Sequence, residues 1–225
     1  MRFVRESNLA AVETVFTMKI VSAIPVLRDP NYNSAPQQII PGVVMDNLGE
    51  RSVRLFRWGL VPSWAKDESF GSKLLNARGE TLSEKPSFRD AFRKRRCLII
   101  ADGYYEWIRS GDTKQPVYIY LSTREPFGIA GLWESWISPE GSAVDTCTIV
   151  TIHSNELIRP FHHRMPVIIP REHHDLWLDP SRQDTRELQP LIQPFPAGLM
   201  HYHKVSTRVN SPKYNSPDCI LPIEG

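Results

Sequence analysis

Apolar positions along this chain fall into short runs instead of long periodic stretches. Runs rich in β-branched and aromatic residues, bounded by turn formers, read as strands. Six stand out: Val53–Trp58, Cys97–Ala101, Val117–Leu121, Phe127–Leu132, Cys147–Thr151 and Met165–Ile169. Helical spacing is rarer. Asn8–Phe16 shows it, and Ser87–Arg95 opens on a serine placed to cap a helix after Pro86. Glu172–Leu178 and Thr185–Leu191 read as short late helices, the second with Asp184 as a cap. Nineteen prolines spread over 225 residues argue against long helices, because proline lacks an amide donor and clashes with the preceding turn. Asp29–Pro36 and Ser138–Asp145 read as turn-rich loops, and no repeat or linker divides the chain. The expectation is one α+β domain over residues 1–225. It is strand-dominated, with a barrel-like mixed or antiparallel sheet and short peripheral helices.

Composition narrows the class. With 41% hydrophobic and 23% charged residues, the chain can bury a core and lacks the make-up of a disordered tail. Lys plus Arg number 27 against 25 for Asp plus Glu, so a net charge of +2 leaves any basic surface local. No apolar run approaches the ~18 residues of a membrane helix, and no signal-peptide block follows the charged start Met1–Glu6. Cys97, Cys147 and Cys219 are odd in number and widely spaced, which argues against a disulfide framework or a thiolate zinc site. A cytoplasmic protein is expected, nucleoid-associated if bacterial, with no membrane partner and no cofactor.

Five segments could carry chemistry. Leu74–Glu80 (LLNARGE) puts an amide, a guanidinium and a carboxylate within five residues; it reads either as a phosphate-holding element or as a surface turn with a salt bridge. Ile99–Trp107 (IIADGYYEW) runs an apolar strand into Asp102-Gly103, read as a tight turn, and then to Glu106 among aromatic rings. A carboxylate so placed is partly desolvated, and its raised pKa suits a general acid or base; the alternative is a glutamate on the solvent face of a hairpin. Phe161–Pro166 (FHHRMP) joins two histidines, able to move protons near neutral pH, to an arginine. No carboxylate or cysteine stands at ligand spacing from them, so no metal is expected. Phe56–Trp64 (FRWGLVPSW) offers rings for the core or, at Trp64, for stacking on a base. Arg89, Arg93, Lys94, Arg95 and Arg96 form a basic stretch, read as a solvated helix face or a phosphate contact.

In this order the segments resemble the SOS response-associated peptidase (SRAP) family. The likeness runs through YNSAP at Tyr32–Pro36, RWGLVPSW at Arg57–Trp64, NARGE at Asn76–Glu80, ADGYYEW at Ala101–Trp107, HHRMPV at His162–Val167 and VSTRVN at Val205–Asn210. Each motif alone is weak, and six in order are specific. The resemblance implies a protein that binds abasic sites in single-stranded DNA and at junctions of single- and double-stranded DNA. It traps the ring-opened sugar aldehyde as a shielding covalent adduct, a thiazolidine, and has an N-terminal autopeptidase activity. By motif position Glu106 would be the catalytic glutamate, His162 the histidine assisting ring opening and reversal, and Asn76 the residue orienting the N-terminal residue and lesion. Arg78 would hold a phosphate, Trp64 would stack on or wedge beside a base, and Asn33 and Pro36 would line the DNA channel. Arg2 is carried over as a DNA-binding position, and the protein is expected to act as a monomer.

One departure bears on the chemistry. The family begins Met-Cys-Gly-Arg-Phe, and the cysteine after the methionine is the trapping group. Here Met1 is followed directly by Arg2 and Phe3, which align with the family's Arg-Phe, and no other cysteine takes the missing place. Three readings stand: two residues left out ahead of Arg2, a natural variant that binds abasic DNA without the thiazolidine, or a Met1 α-amine that forms a reversible Schiff base. Arg2 is too bulky for ordinary methionine removal, so Met1 is expected to stay. A non-covalent binding module and a thiol-independent peptidase are the alternative functions, the second without a GxSxG, HExxH or triad order behind it.

Overall fold

A computed structural model describes residues 1–20, 25–111 and 113–223. The strands are β1 (Arg2–Arg5), β2 (Asn31–Ser34), β3 (Ile39–Met45), β4 (Arg51–Trp58), β5 (Asn76–Arg78), β6 (Arg96–Ala101), β7 (Gly103–Ser110), β8 (Thr113–Leu121), β9 (Phe127–Ile137), β10 (Ala143–His153), β11 (Arg164–Pro166), β12 (Ile168–Ile169) and β13 (Met200–Lys204). The α-helices are short: α1 (Leu9–Phe16), α2 (Pro25–Arg28), α3 (Arg89–Lys94), α4 (His174–Leu178) and α5 (Thr185–Leu188). The strand-dominated α+β architecture is as the sequence predicts. No helix among the described residues is long and apolar enough to cross a membrane.

Two sheets share the work. In the larger, the order β10-β4-β3-β6-β9 is closed by pairing of β9 with β10, which makes a five-stranded barrel. The β10–β4 pairing is parallel and the other four are antiparallel. Closure leaves no barrel strand with a free edge, and β6 and the first six residues of β9 are buried on both faces. Past the barrel rim, β5 and β11 attach to β10. The second sheet, β13-β8-β7-β1-β2, is antiparallel throughout and leans on the barrel. Phe3, Tyr104, Val117 and Ile119 from it join the same core as Ile40, Phe56 and Ile99 of the barrel.

Helix ends follow local chemistry. The Asn8 side chain accepts from the Ala11 amide and Asp184 from the Arg186 amide, two side-chain caps of α1 and α5. Ser87 does not cap α3; Phe88 precedes that helix with no side-chain bond. The expected loop Asp29–Pro36 contains β2, because Phe3 of β1 pairs with Ser34. Asp102 and Gly103 form no hairpin turn: β6 belongs to the barrel and β7 to the second sheet, and Asp102 joins them while its carboxylate accepts from the amides of Glu6 and Ser7. The basic stretch divides by burial. Arg96 is buried and donates to the carbonyls of Phe92, Arg93, Trp177 and Asp179, closing the ends of α3 and α4. Burial lowers its pKa to about 10, and Asp179 works against that shift. Arg95 pairs with Glu134 at 2.8 Å, while Arg89, Arg93 and Lys94 face solvent.

Candidate functional site

The site is built by three strand pairings. Antiparallel to β7, β1 sets Arg2 opposite Tyr105, Phe3 opposite Tyr104 and Val4 opposite Gly103. Continued by one residue, that register puts Met1 opposite Glu106. Alternation along β7 turns Tyr104 and Glu106 to one face. Glu106 is only 6% exposed. Burial lifts its carboxyl above the ordinary carboxylate range, and the charges of the N-terminal ammonium and of His162 pull it part of the way back. The N-terminal amine and the His162 ring are thus the electrostatic neighbours of the buried carboxyl.

β5 runs parallel to β10, with Asn76 opposite Ile149 and Arg78 opposite Thr151. Ala77 between them is fully buried, so Asn76 and Arg78 share the open face. On the other edge of β10, Pro166 of β11 also stands opposite Thr151. That brings the NARGE and HHRMP segments to the same point.

His162 lies just before β11. Its Nδ1 is 3.1 Å from the Arg164 amide and 3.0 Å from the Arg164 carbonyl oxygen. A neutral ring accepts the amide there and carries its proton on Nε2; a charged ring donates from Nδ1 to the carbonyl. In both states Nδ1 is anchored and Nε2 is left to act. Arg164 is itself fixed by a two-pronged ion pair to Glu80, at 2.6 and 2.9 Å, and by donation to the Thr151 carbonyl at 2.6 Å. Its guanidinium holds the Glu80 carboxyl below the usual carboxylate range.

These elements enclose two adjoining cavities. One, of about 240 Å³, is lined by Met1, Asn76, Arg78, Glu106, Thr151, His162, Arg164, Met165 and Pro166. The other, of about 390 Å³, is lined by Met1, Arg2, Glu106, Trp107, Arg109, Lys114, His162 and Asn210. Met1, Glu106 and His162 belong to both and form the divide between them. A terminal amine, a raised carboxyl and an anchored imidazole thus meet, a set able to add nitrogen to a carbonyl and move the protons involved.

The structure brings together Asn76, Arg78, Glu106, His162 and Arg2. It sets the other sequence-chosen positions apart. Asn33, expected on a channel wall, is 1% exposed; its amide donates to the carbonyls of Val209, Ser211 and Tyr214 while Arg2 donates to its oxygen. Three chain-distant carbonyls needing a donor explain that burial. Pro36 is half-buried at the end of β2, and Trp64 is exposed with its ring edge-on to Phe70 at 5.4 Å; neither lines the two cavities. The Arg2 guanidinium lines the second cavity but is engaged by the Val209 and Asn210 carbonyls and lies 5.6 Å from the Trp107 ring. Thr151, Arg164, Trp107, Arg109, Lys114 and Asn210 were not chosen from sequence. Arg164, Trp107 and Asn210 stand inside the quoted motifs; Thr151, Arg109 and Lys114 carry no local signal. Tyr104, inside the ADGYYEW motif, was likewise not chosen: it shares the Glu106 face, is fully buried and has a hydroxyl with no partner among the described residues. Burial, then the Glu106 charge, hold that hydroxyl protonated.

The chain belongs to the family described as SOS response associated peptidase (SRAP), whose pattern matches residues 1–212. It is 50% identical over 192 residues to abasic site processing protein YoqW of Bacillus subtilis (strain 168), covering 85% of each chain. It is 35% identical over 226 residues to abasic site processing protein HMCES of Gallus gallus, covering 87% of this chain and 67% of that one. A crystal structure of a protein from Bacteroides thetaiotaomicron superposes with a TM-score of 0.84 at 27% identity, covering 99% of both chains.

Proposed function

We propose that this protein processes abasic sites by capturing the ring-opened sugar aldehyde of single-stranded DNA on the N-terminal residue, ahead of β1. One observation carries the reading: the register of β1 on β7 sets the N-terminal residue opposite a buried Glu106, whose carboxyl burial lifts above the ordinary carboxylate range, at the divide between two open cavities. In the reaction, Glu106 takes a proton from the ammonium. The amine nitrogen then adds to the aldehyde carbon, and the carbonyl oxygen leaves as water after protonation by Glu106 or by His162 Nε2. A C=N bond forms, one water is released, and nothing is oxidised or reduced. Where the chain instead opens on a cysteine, as in the family, the cysteine thiol adds to the same carbon and its proton passes to nitrogen, closing a thiazolidine. Where it opens on Met1, the sequence ends at the Schiff base. Asn76 orients the lesion, and Arg78 takes the adjacent phosphate on the open face of β5. The N-terminal autopeptidase step implied by the family name would use the same carboxyl and imidazole. A monomer suffices, because one chain lines both cavities, and a junction of single- and double-stranded DNA is the preferred substrate.

Intact mass of the protein, alone and after incubation with an abasic single-stranded oligonucleotide, tests this. The expected product is the sum of protein and oligonucleotide less one water, absent with an intact oligonucleotide. An adduct stable without reduction assigns a thiol-bearing terminus, which the free-protein mass would also show. One seen only after borohydride assigns capture by the amine alone. No adduct under either condition overturns the proposal.

A further inference from the structure

The β7–β8 hairpin holds an arrangement that the fold does not use. After its first strand comes Gly111, whose φ of +56° is a left-handed conformation that suits glycine. Near the hairpin tip Arg109 stands directly opposite Lys114. Like charges facing each other across an antiparallel pair oppose folding. Both side chains are exposed, and among the described residues neither has a carboxylate partner. Both line the second cavity, which meets the first at Met1, Glu106 and His162. Arg78 lies in the first cavity alone. With Arg164 paired to Glu80 and Arg2 bonded to the Val209 and Asn210 carbonyls, the trough offers Arg78 at one end, Arg109 and Lys114 at the other, and the condensing groups between them.

A nucleic acid strand carries a negative charge at every nucleotide, so a lesion centred at Met1 has phosphates running both ways along this trough. We propose that Arg109 and Lys114 form a second phosphate subsite, which takes the phosphodiester flanking the lesion on the side opposite Arg78. The subsite rests on the abasic-site reading and adds to it a second grip on the strand. Separate, facing cations match a passing backbone, where each phosphate needs only one or two donors. The electrostatic cost of the pair in the free protein is then relieved on binding.

The test is the double variant Arg109→Thr/Lys114→Thr, which keeps good strand formers at both positions. Fluorescence anisotropy would follow binding of a labelled abasic oligonucleotide with both flanks, with the 5′ flank removed, and with the 3′ flank removed, each over a salt series. Wild type should lose affinity when one particular flank goes. The variant should bind the full oligonucleotide about tenfold more weakly, ignore loss of that flank, and show a log–log salt slope shallower by about 0.7 per lost phosphate contact. Its thermal midpoint should equal or exceed that of wild type, a direction that a purely structural role would not give, and Arg109→Lys/Lys114→Arg should restore binding. Unchanged salt slope and flank dependence in the double variant would overturn the subsite. Should wild type fail to distinguish abasic from intact strands, the abasic reading falls, and the variant's salt slope on the intact strand still decides the subsite.

Discussion

At the scale of single residues, the burial of Glu106 sets stability against the chemistry proposed for it. Burial makes its protonated form the easier one to fold, so its folded pKa lies above the ordinary 4.5. The stability linked to this group is therefore fully present below the unfolded value and is lost as pH rises through the folded one. Glu106→Gln keeps the shape and removes the titration. Urea melts should show the variant gaining on wild type as pH rises from about 4 toward 8, with the gain flattening once the wild-type carboxyl is ionised. In the same samples, adduct formation should slow by about 10²- to 10⁴-fold, the usual worth of a positioned acid–base group. A variant that lost capture and stability together, in parallel across pH, would reduce Glu106 to a structural role. This residue was legible in the sequence because a carboxylate among tyrosines and a tryptophan has few ways to stay wet. Its amine neighbour was implied by the family resemblance alone, since a register across a hundred residues leaves no local trace. Asn33 misled for the same reason: the carbonyls that bury it are 176 to 181 residues away. Arg109 and Lys114 look like any solvated hairpin tip until their register is known.

At the scale of elements, β7 is the piece on which site and fold both depend, and its first residue tests that. Gly103 has an unremarkable φ, but a Cβ there would lie 2.3 Å from Cε2 and 2.5 Å from Cζ of Tyr118. That ring is not free to retreat: it is packed against Tyr105 and Tyr120, and its hydroxyl donates to the Asp102 carbonyl at 3.3 Å. Gly103→Ala should cost about 1–3 kcal/mol, the usual penalty of overpacking. It should lower adduct yield only where the fold begins to melt, so yield and far-ultraviolet circular dichroism should fall together on heating. An early loss of yield in a folded sample would place strain at Glu106 and contradict this account. Four of the five barrel strands were readable, most plainly where the surroundings are apolar on both faces, as in Cys97–Ala101 and Phe127–Leu132, while β3 was missed because Pro41 and Gly42 interrupt its apolar run. Those of the second sheet were less so. Arg2–Arg5, Asn31–Ser34 and Met200–Lys204 are short and partly polar, and they are strands only because a neighbour pairs with them. Met165–Ile169 was read as one strand but divides at Val167, whose amide donates to β10 and whose carbonyl accepts from β9. Ser87 failed as a cap because the helix starts one residue later than its sequence pattern.

At the scale of the whole molecule, the closed barrel predicts how the chain comes apart, and three cysteines report on it. Cys97 lies on β6 and Cys147 on β10, both wholly buried inside the ring of strands; Cys219 sits in the separate cluster under the chain's last turns. Burial pushes all three thiols up, so little thiolate exists in the native state and labelling requires opening. Opening differs between the two places. Freeing Cys97 means parting β6 from β3 and β9, and freeing Cys147 means parting β10 from β9 and β4. Because the ring is closed, neither strand can peel from an edge, and the two thiols should be exposed in one event. Cys219 is covered by a segment held by the Val205–Pro222 bridge, turn bonds and side-chain bonds such as those of Asn33 to the Ser211 and Tyr214 carbonyls and of His203 to the Ile220 carbonyl, with no strand ladder over it among the described residues, so it opens apart from the barrel. Mass spectrometry of native protein in excess alkylating reagent should show a singly labelled species, modified at Cys219, and then a direct passage to three labels at the global unfolding rate. Accumulation of a doubly labelled species would mean that the barrel opens in parts. The same experiment bears on the chemistry: brief alkylation that leaves Cys97 and Cys147 untouched should leave capture by the N-terminal amine intact, because that amine is held by β1 against β7, outside the ring the thiols report on.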